Sequence, residues 1–155
     1  MDVTADELAG VVDLFGGLTR SELERALSEA AFRADGTSVD EAAVEAAVED
    51  ALESFALVSD DREGKPLLVA GPTAFPTVPD HAEDVPHILD VDRRRLDREA
   101  LGESTRRRFS EALEAAIEDE DDDRLRQLLD VTYDVEAWAP IDLTDERTRL
   151  EAELD

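Results

Sequence analysis

Residues 38–71 read SVDEAAVEAAVEDALESFALVSDDREGKPLLVAG. Val44, Ala47, Val48, Ala51, Leu52 and Phe55 recur at the i, i+3, i+4 spacing of an amphipathic helix, which predicts a helix from Asp40 to Phe55. Ser38 followed by Glu41 fits a capping box, in which each side chain satisfies a free N–H at the helix start. Two short apolar runs follow, FALVS (55–59) and PLLVAG (66–71), around the charged turn 60–65 with its Gly64. That pattern predicts a β-hairpin. Pro66 has no N–H to give, so the second strand must take an edge, or use Pro66 as its first residue.

Upstream, two more helices are expected. The first runs from Ala5 to Phe15, with a Thr4–Glu7 capping box, the stripe Leu8, Val11, Val12, Phe15 and the terminator Gly16-Gly17. The second starts at a Thr19–Glu22 box, carries Leu23, Ala26, Leu27, Ala30 and Ala31, and ends at Asp35-Gly36. Helix, helix, helix, hairpin is an order that resembles a winged helix-turn-helix over about residues 4–71. The resemblance implies a third helix that enters the DNA major groove with Arg or Lys on phosphates and guanines. Residues 40–55 contain neither; Glu41, Glu45, Glu49 and Glu53 form a ridge of like charge instead. The expectation is therefore a scaffold for protein contacts.

Downstream, five of the six prolines fall between Pro66 and Pro86, so residues 73–83 read as an extended connector. A helical unit is expected over 84–155: a short helix near Asp84, a segment from Asp92 to Leu101, a break at Gly102, and a helix from Ser104 to Glu118. The run EDEDDD (118–123) is a solvated connector or the acidic first turn of the next helix, which Leu125, Leu128 and Leu129 mark. Tyr133 and Trp138 are expected in an irregular stretch as core anchors with Phe109, and a last helix spans Asp145 to Leu154. The fold class is thus mainly α with one β-hairpin: a winged-helix-like unit over 1–72 followed by a helical unit.

The 155 residues include 42 Asp+Glu and 16 Lys+Arg, a formal net charge of -26. Leu, Ile, Val and Phe supply 40 residues, above the ~20% level below which highly charged chains stay unfolded. There is no cysteine, which excludes disulfides, thiolate metal sites and cysteine nucleophiles. MDVTADELAG has no basic n-region or apolar core, and no apolar run approaches the ~20 residues of a membrane span. A cytoplasmic protein that avoids membranes is expected. Arg outnumbers Lys fifteen to one, and Ala outnumbers Ile 22 to 3. Each like-charge pair on the 41–53 ridge costs roughly 0.2–0.5 kcal/mol in dilute solution. That cost fades at molar salt, where the Debye length is about 3 Å. With the run LTRSELERAL (18–27), the whole chain resembles small acidic domain-of-unknown-function proteins of halophilic archaea.

One segment breaks the acidity. Residues 92–108 hold Arg93, Arg94, Arg95, Arg98, Arg106, Arg107 and Arg108 against four carboxylates, while 1–91 and 109–155 carry -16 and -13. Such a cluster suits a nucleic-acid backbone or an acidic protein. The alternative is internal pairing, with Glu99 four residues after Arg95 and Glu103 four before Arg107. His81, Glu83, Asp84, His87 and Asp90 gather the two histidines with carboxylates, but histidines six positions apart do not have the i, i+4 spacing of a helical zinc site. No phosphate loop, GxGxxG or GxSxG occurs. The sequence therefore predicts a non-enzymatic interaction or regulatory protein with a protein partner and no cofactor. The alternative is transcription- or RNA-associated binding through the arginine cluster.

Overall fold

The computed structural model describes residues 4–36, 39–62, 64–78, 82, 85–89 and 93–155. The chain is mainly helical with one antiparallel hairpin. It divides into two compact units, Met1–Leu96 and Asp97–Asp155, a boundary further along the chain than the 72/84 boundary read from composition.

The first unit opens with α1 (Ala5–Phe15) and α2 (Arg20–Asp35), and both expected capping boxes are present. Thr4 Oγ1 accepts from Glu7 N at 3.1 Å, and Thr19 Oγ1 from Glu22 N at 3.2 Å. Their apolar stripes meet in one core of Leu8, Val12, Phe15, Leu23 and Leu27, all fully buried.

Helix α3 (Glu41–Glu53) departs from expectation at both ends. Its N-cap is Asp40, whose carboxylate accepts from Ala42 N at 3.0 Å. Ser38, the expected cap, lies outside the described residues. Phe55 is not helical: it takes φ 65° beyond the C-cap Ser54. Phe55 N donates to Leu52 O and Ala56 N to Ala51 O, a Schellman closure with phenylalanine in the seat usually held by glycine. Complete burial of the Phe55 ring, worth roughly 1.5–3 kcal/mol, offsets the left-handed strain.

Strands β1 (Leu57–Arg62) and β2 (Lys65–Ala70) pair antiparallel from Leu57↔Ala70 to Arg62↔Lys65. The hairpin is tighter than its polarity suggests, because Asp60, Asp61 and Arg62 belong to β1 and Asp60 is buried. Leu18, between α1 and α2, bonds the other edge of β2: Leu18 N donates to Leu68 O at 3.0 Å and Leu68 N to Leu18 O at 2.7 Å. Beyond β2 the proline-rich chain runs back over α1. Thr77 N donates to Asp6 O and Phe75 N to the Asp6 carboxylate. Ala82 and Val85, the latter at the start of α4 (Val85–Leu89), complete the core.

The second unit is α5 (Arg98–Glu118), α6 (Asp122–Trp138) and α7 (Thr144–Leu154) around Leu101, Phe109, Leu113, Leu128, Leu143 and Leu150. The expected break at Gly102 does not occur. Gly102 is buried inside α5, where a Cβ would lie 2.6 Å from Ile141 Cγ2. Here glycine marks a close approach, not a helix end. The acidic run 118–123 holds a second Schellman closure, with Glu120 at φ 53° and Asp121 N donating to Ala116 O. Asp121 then caps α6 by accepting from Arg124 N. Tyr133 and Trp138 sit on α6, not in an irregular stretch. Tyr133 is 56% exposed and Trp138 half-buried, so only Phe109 of the three is a core anchor.

Candidate functional site

The seven clustered arginines do not share one environment. Arg93, Arg94 and Arg95 belong to the first unit, and Arg98, Arg106, Arg107 and Arg108 to the second.

In the first unit, Arg94 N donates to Phe15 O at 2.7 Å. This close approach needs Gly16 bare: at φ 82° its Cβ would lie 2.1 Å from Arg94 O. The Arg94 guanidinium then donates to Gly17 O at 2.8 Å and forks onto Glu22, with Nη1–Oε1 at 2.8 Å and Nη2–Oε2 at 3.1 Å. Arg93 Nη1 donates to Asp13 O and Leu14 O at 3.0 and 3.1 Å. Helix α1 has no basic residue in its own last turn, so these two distant arginines supply the donors its terminal carbonyls need. Burial pushes the Glu22 carboxyl up, but the bonds from Arg94 and Thr19 and the guanidinium charge outweigh it and leave it below the usual range. Arg95 is exposed and has no hydrogen-bond partner among the described residues.

In the second unit, the Arg98 guanidinium stands 5.3 Å from the Trp138 ring centroid. Arg106 Nη2 donates to Asp142 O at 2.6 Å. Arg107 and Arg108 are exposed on α5; Arg107 reaches only Ser104 Oγ, at 3.4 Å. The two expected ion pairs, Arg95–Glu99 and Glu103–Arg107, do not form among the described residues. Arg95 precedes the α5 N-cap Asp97, so helical spacing does not apply to it, and Arg107 turns to Ser104 instead.

Two ion pairs that do form are at helical spacing, Arg33–Glu29 and Arg126–Asp123, and the others join residues further apart in the sequence. Arg20 bridges two members of the acidic ridge on α3, Glu45 and Glu49. Arg149 pairs with Glu114 and holds that carboxyl below its usual range. Arg147 stacks 4.2 Å from the Tyr133 ring centroid, donates to Thr132 Oγ1 at 3.1 Å and pairs with Glu136. Glu136 in turn accepts from Leu143 N at 2.9 Å, so one arginine locks the turn between α6 and α7.

The outer face of α3 presents Glu41, Ala42, Glu45, Ala46, Glu49 and Asp50, all exposed, with no lysine or arginine on the helix. His81, Glu83, Asp84 and Asp90 lie outside the described residues, as does the His87 side chain. Among the described residues no three His, Cys, Asp or Glu side chains gather to hold a metal. No described helix is long and apolar enough to cross a membrane.

These features define a mainly helical protein of two units, in which several arginines serve as internal fasteners and the exposed face of α3 is acidic. The chain belongs to the family of unknown function DUF7109, whose model matches residues 6–155. No curated protein and no solved structure matches it.

Proposed function

We propose that the chain is a non-enzymatic interaction or regulatory module of a halophile cytoplasm, built on a winged-helix-like first unit that contacts protein, not DNA. The order α1, α2, α3, β1, β2 supports the scaffold reading, as does Leu18 on the free edge of β2, where winged helices carry their short first strand. The observation that carries the functional reading is the face of α3. The helix that would read bases presents Glu41, Glu45, Glu49 and Asp50, and a single cation, Arg20, offsets part of that charge by bridging Glu45 and Glu49. Phosphates would be repelled there, whereas a cationic protein surface would be attracted, with close backbone approach over Ala42 and Ala46. The acidity and the scarcity of lysine support the halophile setting.

The test is capture from the host at molar KCl, with protein and nucleic acid analysed in the same eluate. Wild type is compared with Glu41→Gln/Glu45→Gln/Glu49→Gln and with Arg106→Gln/Arg107→Gln/Arg108→Gln. A protein held by wild type and lost only with the α3 variant supports the reading. Nucleic acid lost only with the arginine variant overturns it. That second result would favour the other reading, backbone contact through Arg107 and Arg108, which are exposed and free of carboxylate partners among the described residues. Counterion release makes such binding weaken steeply with salt, which counts against it in a halophile.

A further inference from the structure

Arg94 touches both sides of the turn between α1 and α2. On one side it holds Phe15 O through its own N–H and Gly17 O through its guanidinium. On the other it forks onto Glu22, whose Oε1 also accepts from Thr19 N at 2.9 Å as half of the α2 capping box. Arg93 adds Asp13 O and Leu14 O. A single carboxylate thus joins the start of α2 to a segment 72 residues further along. Undocking that segment would strip Phe15 O and Gly17 O of partners and leave Glu22 held by Thr19 alone. Leaving such groups unpaired is costly, which favours all-or-none release.

We propose that Arg93 and Arg94 form a latch: the chain at 93–94, the end of α1 and the first turn of α2 dock and undock as one cooperative element while the rest of the unit stays folded. When the latch is closed, only Arg95 and Leu96 separate it from Asp97, the N-cap of α5. The ion pair that closes the latch is only 31% and 20% exposed on its two side chains, so screening by salt weakens it less than a surface pair.

Amide hydrogen exchange on the full chain in molar KCl tests this. The variants are Arg94→Gln and Glu22→Gln; glutamine at the third helical position still serves a capping box, so the second change breaks the fork and spares the cap. Arg94→Gln is expected to speed exchange at the amides of Thr19 and Leu23, and Glu22→Gln at the amide of Arg94. Both effects should be roughly tenfold, because coupling is reciprocal. Val12 and Val48 should keep their protection. Acceleration confined to the mutated segment overturns the latch, as does equal acceleration at Val12 and Val48, which would mean general destabilisation. Should Arg94→Gln fail to fold, Arg94→Lys, which keeps the charge but loses the fork, carries the same comparison.

Discussion

Ile141 fills the space that a side chain on Gly102 would need: a Cβ there would lie 2.6 Å from Ile141 Cγ2 and 3.2 Å from Ala139 Cβ. Alanine at 102 would gain about 1 kcal/mol of helix propensity. It would also overpack the contact at a cost of about 1–3 kcal/mol. The flexible Ile141 side chain can absorb part of the clash, but Ala139 lies beside it. Gly102→Ala is therefore expected to destabilise by about 1 kcal/mol in denaturant unfolding. A stabilised variant would show that propensity outweighs the packing.

Glu120 is exposed, holds φ 53° and closes the Schellman turn between α5 and α6. Nothing about its side chain offsets the left-handed strain, unlike Phe55 with its buried ring. Glu120→Gly is expected to stabilise by about 1 kcal/mol. Calorimetry at molar KCl checks this, and an unchanged melting temperature would refute it.

Two carboxyls give opposite pH dependence. Glu22 titrates below its ordinary 4.5, so the folded state favours its ionised form. Its contribution is complete above 4.5 and is lost as pH falls through the lower folded value. Asp134 is raised above its ordinary 3.8, by partial burial and then by the charge of Asp130. The fold therefore penalises ionised Asp134, and stability declines as pH rises from 3.8 through the folded value. Asp134→Asn should raise the melting temperature at neutral pH and give no gain below 3.8. Glu22→Gln should flatten the acid limb of the same curve, and a limb unchanged from wild type would contradict the sign assigned to Glu22.

Arg147 combines a ring stack, a hydroxyl and a carboxylate, with its side chain only 16% exposed. A lysine keeps the charge but lacks the planar guanidinium that stacks on the ring while its Nε and Nη2 reach Thr132 and Glu136. Arg147→Lys is expected to cost roughly 1–3 kcal/mol, measured by urea unfolding. Tyr133→Phe should cost little, because the stack uses the ring face. If lysine restored wild-type stability, charge alone would suffice at this position.

Local chemistry was legible in the sequence wherever donor and acceptor lie within one helical turn. Thr4–Glu7 and Thr19–Glu22 are such cases, and so is the apolar period that places Leu8, Val12 and Phe15 in the core. Glycine was ambiguous, since a residue without a Cβ either ends a helix or admits a neighbour. Gly16 does both, while Gly102 only admits Ile141. Neither Phe55 nor Glu120 carries a local signal for its left-handed turn. The arginine segment was visible as a charge anomaly, but Arg93 and Arg94 bond backbone carbonyls at the end of α1 and in the turn after it, 77 to 80 residues away, which side-chain spacing cannot reveal. Tyr133 was misplaced because aromatic character suggested burial, whereas its ring serves Arg147 at the surface.

Helix α1 precedes the rest of its unit in the chain, yet it is finished by some of the unit's last residues. Asp6 waits for Thr77, and Phe15 waits for Arg94. During synthesis the first contact cannot close until residue 77 has cleared the ribosome, nor the second until residue 94 has, and each carries the entropic cost of a long loop. A nascent chain halted at the end of the hairpin would carry both capping boxes and most of the core, but its first helix would still lack the donors that terminate it. The first unit is therefore completed from its far end, and Phe75, Thr77, Arg93 and Arg94 are as much a part of its folding as the helix they bond.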